Sequence, residues 1–66
     1  MRIFVNGEER ELDGTISVTE LLERLALPAR RVAVERNRSV LSRADWDTEL
    51  LTEGDRIEIV HFVGGG

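Results

Sequence analysis

Apolar and polar residues alternate near both ends of this chain and recur at helical spacing between them. At the start, Ile3 and Val5 fall on one side of an extended backbone and Arg2, Phe4 and Asn6 on the other, the period-two pattern of a half-buried strand. Asn6-Gly7 accepts the positive φ angles of a type I′ turn, so Glu8 to Leu12 is expected to return antiparallel and to end at Asp13-Gly14. Glu8, Glu9, Glu11 and Asp13 leave that return strand little to bury beyond Leu12, which predicts a short edge strand whose charges discourage pairing with other chains. Ser17-Val18-Thr19-Glu20 then reads as a capping box. The serine hydroxyl would satisfy the amide three residues on, and the glutamate would reach back to the serine amide. Val18, Leu21, Leu22 and Leu25 follow at i, i+3, i+4 and i+7, an apolar stripe with Thr19, Glu20, Glu23 and Arg24 left to solvent. Pro28 pushes Leu27 out of helical geometry, so the pattern predicts a helix from Val18 to Ala26.

The second half is strand-rich. Arg31 to Glu35 reads as a strand with Val32 and Val34 inward. Arg36-Asn37-Arg38-Ser39 turns it into a short segment at Val40-Leu41, with Asn37 able to take a left-handed conformation. Ser42-Arg43-Ala44-Asp45-Trp46 looks like one capped helical turn that sets Trp46 as a plug under a loop. Thr52-Glu53-Gly54-Asp55 is a further turn, and Arg56 to Val63 alternates Ile57, Ile59, His61 and Val63 against Glu58, Val60 and Phe62. A first and a last strand joined through a helix are expected to lie parallel and adjacent, because crossovers are right-handed. The expected fold is therefore α+β: a β-grasp arrangement, a mixed sheet with one main helix packed across one face. Residues 1–63 would form the domain and residues 64–66 a flexible glycine tail. Phe4, Val60 and Phe62 fall on the outer face, a candidate partner-binding cluster unusual for a monomer.

Composition narrows the chemistry. Sixty-six residues make one small domain with little room for a deep pocket. Without cysteine there is no disulfide, thiolate nucleophile or sulfur-ligated metal. His61 is the only histidine, so no multi-histidine metal site is expected. All nine cationic residues are arginine, which removes the phosphate-binding Gly-Lys-Ser/Thr loop and Schiff-base chemistry. No bound cofactor is expected, and what chemistry remains must be unusual or supplied by a partner. A net charge of −4 argues against generic nucleic-acid binding. No segment reads as a membrane span or signal peptide, so the expected location is cytoplasmic. The charge is uneven. Arg30, Arg31, Arg36, Arg38 and Arg43 stand against Glu35 alone in residues 30–43, while residues 44–66 hold six acids against Arg56. That segment is either a solvated surface with local bias or a docking patch for an acidic partner.

The candidate reactive group is the chain end. Gly64, Gly65 and Gly66 have no side chains to pack, so they predict a mobile tail reaching about 10 Å at ~3.3–3.6 Å per residue. A carboxylate behind residues without Cβ atoms can thread into another protein's narrow active site. At this point the sequence resembles a known family. Met1-Arg2-Ile3-Phe4-Val5 looks like the start of ubiquitin. The stretch from Gly54 to Gly66, with the Val32 to Asn37 segment and the Ser42 to Trp46 turn, is similar to the ThiS family of sulfur carriers of thiamine biosynthesis. Arg38 stands where many relatives are expected to have glycine.

The resemblance implies that Gly66 carries the sulfur. A ThiF-like adenylyltransferase would activate its carboxylate with ATP, and sulfur relayed from a cysteine desulfurase would convert it to a thiocarboxylate. Thiazole synthase (ThiG) would then take the sulfur for the thiazole ring. Other readings stay open on the residues alone: a β-grasp sulfur carrier for molybdopterin, tRNA or cysteine; a ubiquitin-like modifier of other proteins; or a binding module with an inert tail.

Overall fold

A computed structural model of the chain describes residues 1–62. Strands β1 (Arg2–Val5) and β2 (Glu8–Glu11) form the first hairpin, helix α1 (Val18–Arg24) follows, and β3 (Val32–Arg36), β4 (Ser39–Val40) and β5 (Arg56–His61) complete the sheet. The strand order is β2-β1-β5-β3-β4. β1 and β5 run parallel at its centre, with Val5 level with Ile57; every other pairing is antiparallel. This is the expected β-grasp arrangement. No helix among the described residues is long and apolar enough to cross a membrane.

Period two decides which face is buried. Ile3, Val5, Val32, Val34, Ile57 and Ile59 point to one side of the sheet and are at most 6% exposed. Val18, Leu21 and Leu22 of α1 close over them in a single core. Each such side chain contributes about 1.5–3 kcal/mol on burial. Trp46 plugs the open end, as expected: it is 5% exposed, and its indole N–H donates to the Leu41 carbonyl at 3.1 Å.

Several boundaries differ from the sequence reading. The helix ends at Arg24 instead of Ala26, because Ala26 adopts φ +57°. Its amide donates to Glu23 and that of Leu27 to Leu22, a Schellman motif that satisfies the last carbonyls. The capping box is half formed. Ser17 Oγ accepts from the Glu20 amide at 3.1 Å, but the Glu20 carboxylate pairs with Arg24 one turn on, at 2.8 Å. β2 stops at Glu11, although the Leu12 amide still donates to Met1. β3 starts one residue late, after a 3₁₀ turn over Ala29–Arg31. Among the described residues β5 runs from Arg56 to His61; Val63, the expected end, lies outside them.

Candidate functional site at the end of the central strand

β5 is the last strand before the glycines in the sequence, and both neighbours hold it. On the β1 side the main-chain ladder runs from Phe4 N–H, which donates to Asp55, to Asn6 N–H, which donates to Ile57 at 2.8 Å. The Asn6 carboxamide then extends it by one step. Its oxygen accepts from the Ile59 amide at 2.8 Å, and its nitrogen donates to the Ile59 carbonyl at 3.3 Å. On the β3 side, pairing reaches Val32 opposite His61, and the Phe62 amide donates to the Arg31 carbonyl at 2.8 Å. A groove of about 200 Å³ lies beside this end of β5, between the inner face and the end of the helix, lined by Val5, Asn6, Leu25, Leu27, Ile59 and His61 with Glu8 and Arg10. His61 is an exposed rim residue.

The root of β5 is fixed by a polar cluster. Asp55 is 5% exposed, and its carboxylate accepts from the Thr52 amide, the Asn37 carboxamide and the Arg36 guanidinium at 2.8–3.0 Å. Burial works against the charged form of Asp55, but these donors and the Arg36 charge outweigh it and hold the carboxyl below its ordinary value. Arg36 also bonds the Leu50 carbonyl and pairs with Glu49.

Of the outer-face residues singled out in the sequence, Val60 and Phe62 are half exposed, at 54% and 55%. They stand together at the exit. Phe4 shares their face but not their position: it is level with Arg56, whose guanidinium lies 5.5 Å from its ring centroid. Val60 is four residues further along β5, about 13 Å away at strand rise. The expected three-residue cluster is therefore two separate sites, Phe4 under Arg56 and Val60 with Phe62. Gly64, Gly65 and Gly66 lie outside the described residues.

The basic segment also divides. Arg43 donates to the carbonyls of Ala29 and Val32 and covers the Trp46 ring at 4.6 Å, and Arg36 serves Asp55. Both are structural. Arg30, Arg31 and Arg38 are exposed and have no ion-pair partner among the described residues. Sequence reasoning missed Asn6 and Asn37 as ligands of the β5 backbone. The Asn-Gly pair announced a turn, but the atoms that Asn6 bonds lie 53 residues away.

A small mixed sheet with parallel first and last strands, one helix across it and a central strand leading into glycines defines a ubiquitin-like β-grasp protein. The ThiS family pattern matches residues 3–66, through the last glycine, and the chain belongs to that family. The crystal structure of a thiamine biosynthesis protein (ThiS) from Geobacter metallireducens superposes with a TM-score of 0.86 at 40% identity, covering all of both chains. The sulfur carrier protein ThiS of Bacillus subtilis is 40% identical over 52 residues, 79% of each chain. A thiazole synthase from Magnetococcus marinus is 42% identical over all 66 residues of this chain, which spans 20% of that protein's length.

Proposed function

We propose that this chain is a sulfur carrier of thiamine biosynthesis that is not itself an enzyme, and that Gly66 bears the transferred atom. The observation that carries the reading is the family match running through the glycine tail. The chemistry follows from what a carboxylate needs. It is a poor electrophile, so an oxygen of the Gly66 carboxylate attacks the α-phosphorus of ATP in a ThiF-like adenylyltransferase and releases pyrophosphate. The terminal sulfur of a persulfide derived from a cysteine desulfurase then attacks the acyl carbon and expels AMP, and a second thiol reduces the resulting acyl disulfide, forming a disulfide with the persulfide's inner sulfur and leaving a thiocarboxylate on Gly66. That sulfur is nucleophilic and passes to thiazole synthase (ThiG). Support for this acceptor comes from the Magnetococcus marinus thiazole synthase, which holds a segment similar to this chain within its own polypeptide.

The body of the domain has recognition as its task. Val60 and Phe62 stand just ahead of the tail as an apolar seat for the partner, while residues 64–66 act as a thread without side chains. The chain would carry out these steps in the cytoplasm. The test is intact mass of the chain after incubation with the adenylating enzyme, ATP and the sulfur source. One oxygen-to-sulfur exchange localised to Gly66 is expected; its absence rejects the carrier reading. Deleting Gly66 should abolish thiazole formation and leave Tm unchanged. Sulfur loading without thiazole formation would move the acceptor to another pathway.

A further inference from the structure

We propose that Asn6 is a site of spontaneous deamidation, gated by the clip it forms on Ile59, and that its isoaspartyl product frees the second half of β5 from β1. The proposal goes beyond the sulfur-carrier reading and does not depend on it.

Asn6-Gly7 sets a carboxamide one peptide bond ahead of a residue without a Cβ. In such a pair the Gly7 amide nitrogen attacks Asn6 Cγ. The new N–C bond closes a five-membered imide, the amide proton passes to water, and the carboxamide nitrogen leaves as ammonia. Water then opens the imide at one of its two carbonyls. One opening gives aspartate. The other, the more frequent, routes the main chain through the former side chain and gives isoaspartate, longer by one main-chain carbon. The net change is amide and water to acid and ammonia, with nothing oxidised or reduced.

The fold supplies both access and gate. Asn6 and Gly7 are exposed, and a Cβ placed on Gly7 would meet no atom within 4 Å, so water reaches the pair. The Gly7 amide donates to no main-chain acceptor among the described residues, which leaves the attacking nitrogen untied. What is tied is the carboxamide. Its oxygen accepts from the Ile59 amide at 2.8 Å and its nitrogen donates to the Ile59 carbonyl at 3.3 Å. A carboxamide turned across onto β5 cannot also fold back over its own peptide, so attack waits for the clip to open. Asn37 is an internal comparison. Its backbone matches, with φ +51° against +50°, but its carboxamide is held at 2.9 and 3.0 Å and its own amide donates to the Arg56 carbonyl. The residue after it is Arg38, whose side chain crowds the attack.

The consequence falls on β5. The main-chain ladder from β1 ends where the Asn6 amide donates to Ile57, and only the carboxamide carries it on to Ile59. An aspartate keeps an oxygen for the Ile59 amide but has no proton for the Ile59 carbonyl. Isoaspartate loses both bonds, because the added carbon moves the carboxylate and lengthens the turn whose register sets Val5 opposite Glu8. From Ile59 onward β5 then keeps only its pairing with β3, up to Val32 opposite His61.

The test incubates the full-length chain folded in neutral buffer and, in parallel, unfolded in urea, and follows amide-to-acid exchange and isoaspartate by peptide mapping with mass spectrometry. Asn6→Gly, which cannot convert, gives the background, and Asn6→Asp marks the aspartyl product on the map. Asn6 should convert in both conditions, about tenfold or more slowly when folded, and ahead of Asn37 in each. In urea too dilute to unfold the chain, the conversion rate should rise in step with hydrogen exchange at the Ile59 amide. The isolated isoaspartyl chain should exchange that amide about tenfold or more faster than wild type while the amides that join β3 to β5 stay protected. Equal rates in folded and unfolded chain would remove the gate. No conversion at Asn6 in urea, or earlier conversion at Asn37, would remove the site. Wild-type exchange at Ile59 in the isoaspartyl chain would remove the consequence, and so would loss of the β3 pairing along with it, which would mean general unfolding. Any one of these overturns the proposal.

Discussion

Asn6 and Asn37 stand at the heads of the two hairpins that flank β5, both in left-handed backbone, and each turns its carboxamide onto that strand. Asn6 bonds the amide and carbonyl of Ile59. Asn37 accepts from the Arg56 amide at 2.9 Å and donates to Asp55, and its own amide donates to the Arg56 carbonyl. The strand that precedes the glycines is thus held on one side near its start and on the other near its finish. A glycine at either position keeps the positive φ but removes the clip, so turn and clip can be separated. Asn6→Gly should destabilise by about 1–2 kcal/mol, with faster hydrogen exchange at the Ile59 amide than elsewhere in β5. Equal exchange in variant and wild type would mean that the carboxamide adds nothing to the main-chain ladder.

Two other residues occupy left-handed backbone without suiting it. Ala26 ends the helix at φ +57° and Arg38 fills the second position of the β3–β4 turn at φ +72°. Both are exposed. A side chain with a Cβ costs roughly 1–2 kcal/mol there, and glycine avoids that cost while losing some entropy in the unfolded chain. Ala26→Gly and Arg38→Gly should each stabilise by about 0.5–1 kcal/mol, a rise in Tm of a few degrees for a domain of this size. The two sites lie in different turns, so their effects should add in a thermal melt.

Asp55 makes stability depend on pH with a definite sign. Its carboxyl is held below its ordinary value in the folded chain, so the unfolded chain takes up the proton first as acid is added. The contribution is present in full above the unfolded value and is lost as pH falls through the folded one. Asp55→Ala strands the Thr52 amide, the Asn37 carboxamide and part of the Arg36 guanidinium. Because Arg36 keeps some solvent contact, the loss at neutral pH should be about 2–3 kcal/mol, below the range for a fully buried pair. Urea unfolding of wild type and variant should converge as pH falls below the ordinary carboxylate range and through the lowered folded value. A constant gap would show that the cluster acts through packing and not through charge.

Much of this was readable in the sequence, because it depends on neighbours in the chain. Ile3 and Val5, Val32 and Val34, and Ile57 and Ile59 announced inward faces through period two, Asn6-Gly7 announced its turn, and Val18 to Leu22 the helix face. What escaped depends on distant partners. Period two fixes which face a residue occupies but permits a slide by two, so Phe4 could be assigned to the face of Val60 but not placed level with Arg56. The helix end escaped because alanine at a left-handed position has no local signal; the bonds from Ala26 and Leu27 back into the last turn decide it. For the site itself, Val60 and Phe62 were legible as outward apolar residues, whereas Arg31 and Ala33 became their neighbours only through the β3–β5 register.

The separation of Phe4 from Phe62 makes the proposed docking of a partner on Val60 and Phe62 testable residue by residue. Phe62 is 55% exposed at the root of the tail, so replacing it removes little from the core but all of the apolar anchor nearest the chain end. Serine is the better probe than aspartate, since an acid there would pair with Arg31 across the ladder and confuse charge with contact. Phe62→Ser should leave Tm within a few degrees of wild type and weaken binding to the adenylating enzyme by about 2 kcal/mol, roughly thirtyfold, as expected for an anchor at the centre of an interface. Phe4→Ser should do the reverse. It removes a partly buried ring from beneath Arg56, costing stability, while a partner seated on Val60 and Phe62 lies about 13 Å further along the sheet. Calorimetric titration of both variants decides the matter: comparable losses of affinity would restore one continuous apolar surface along β5, and loss at Phe62 alone would confine the contact to the exit of the strand.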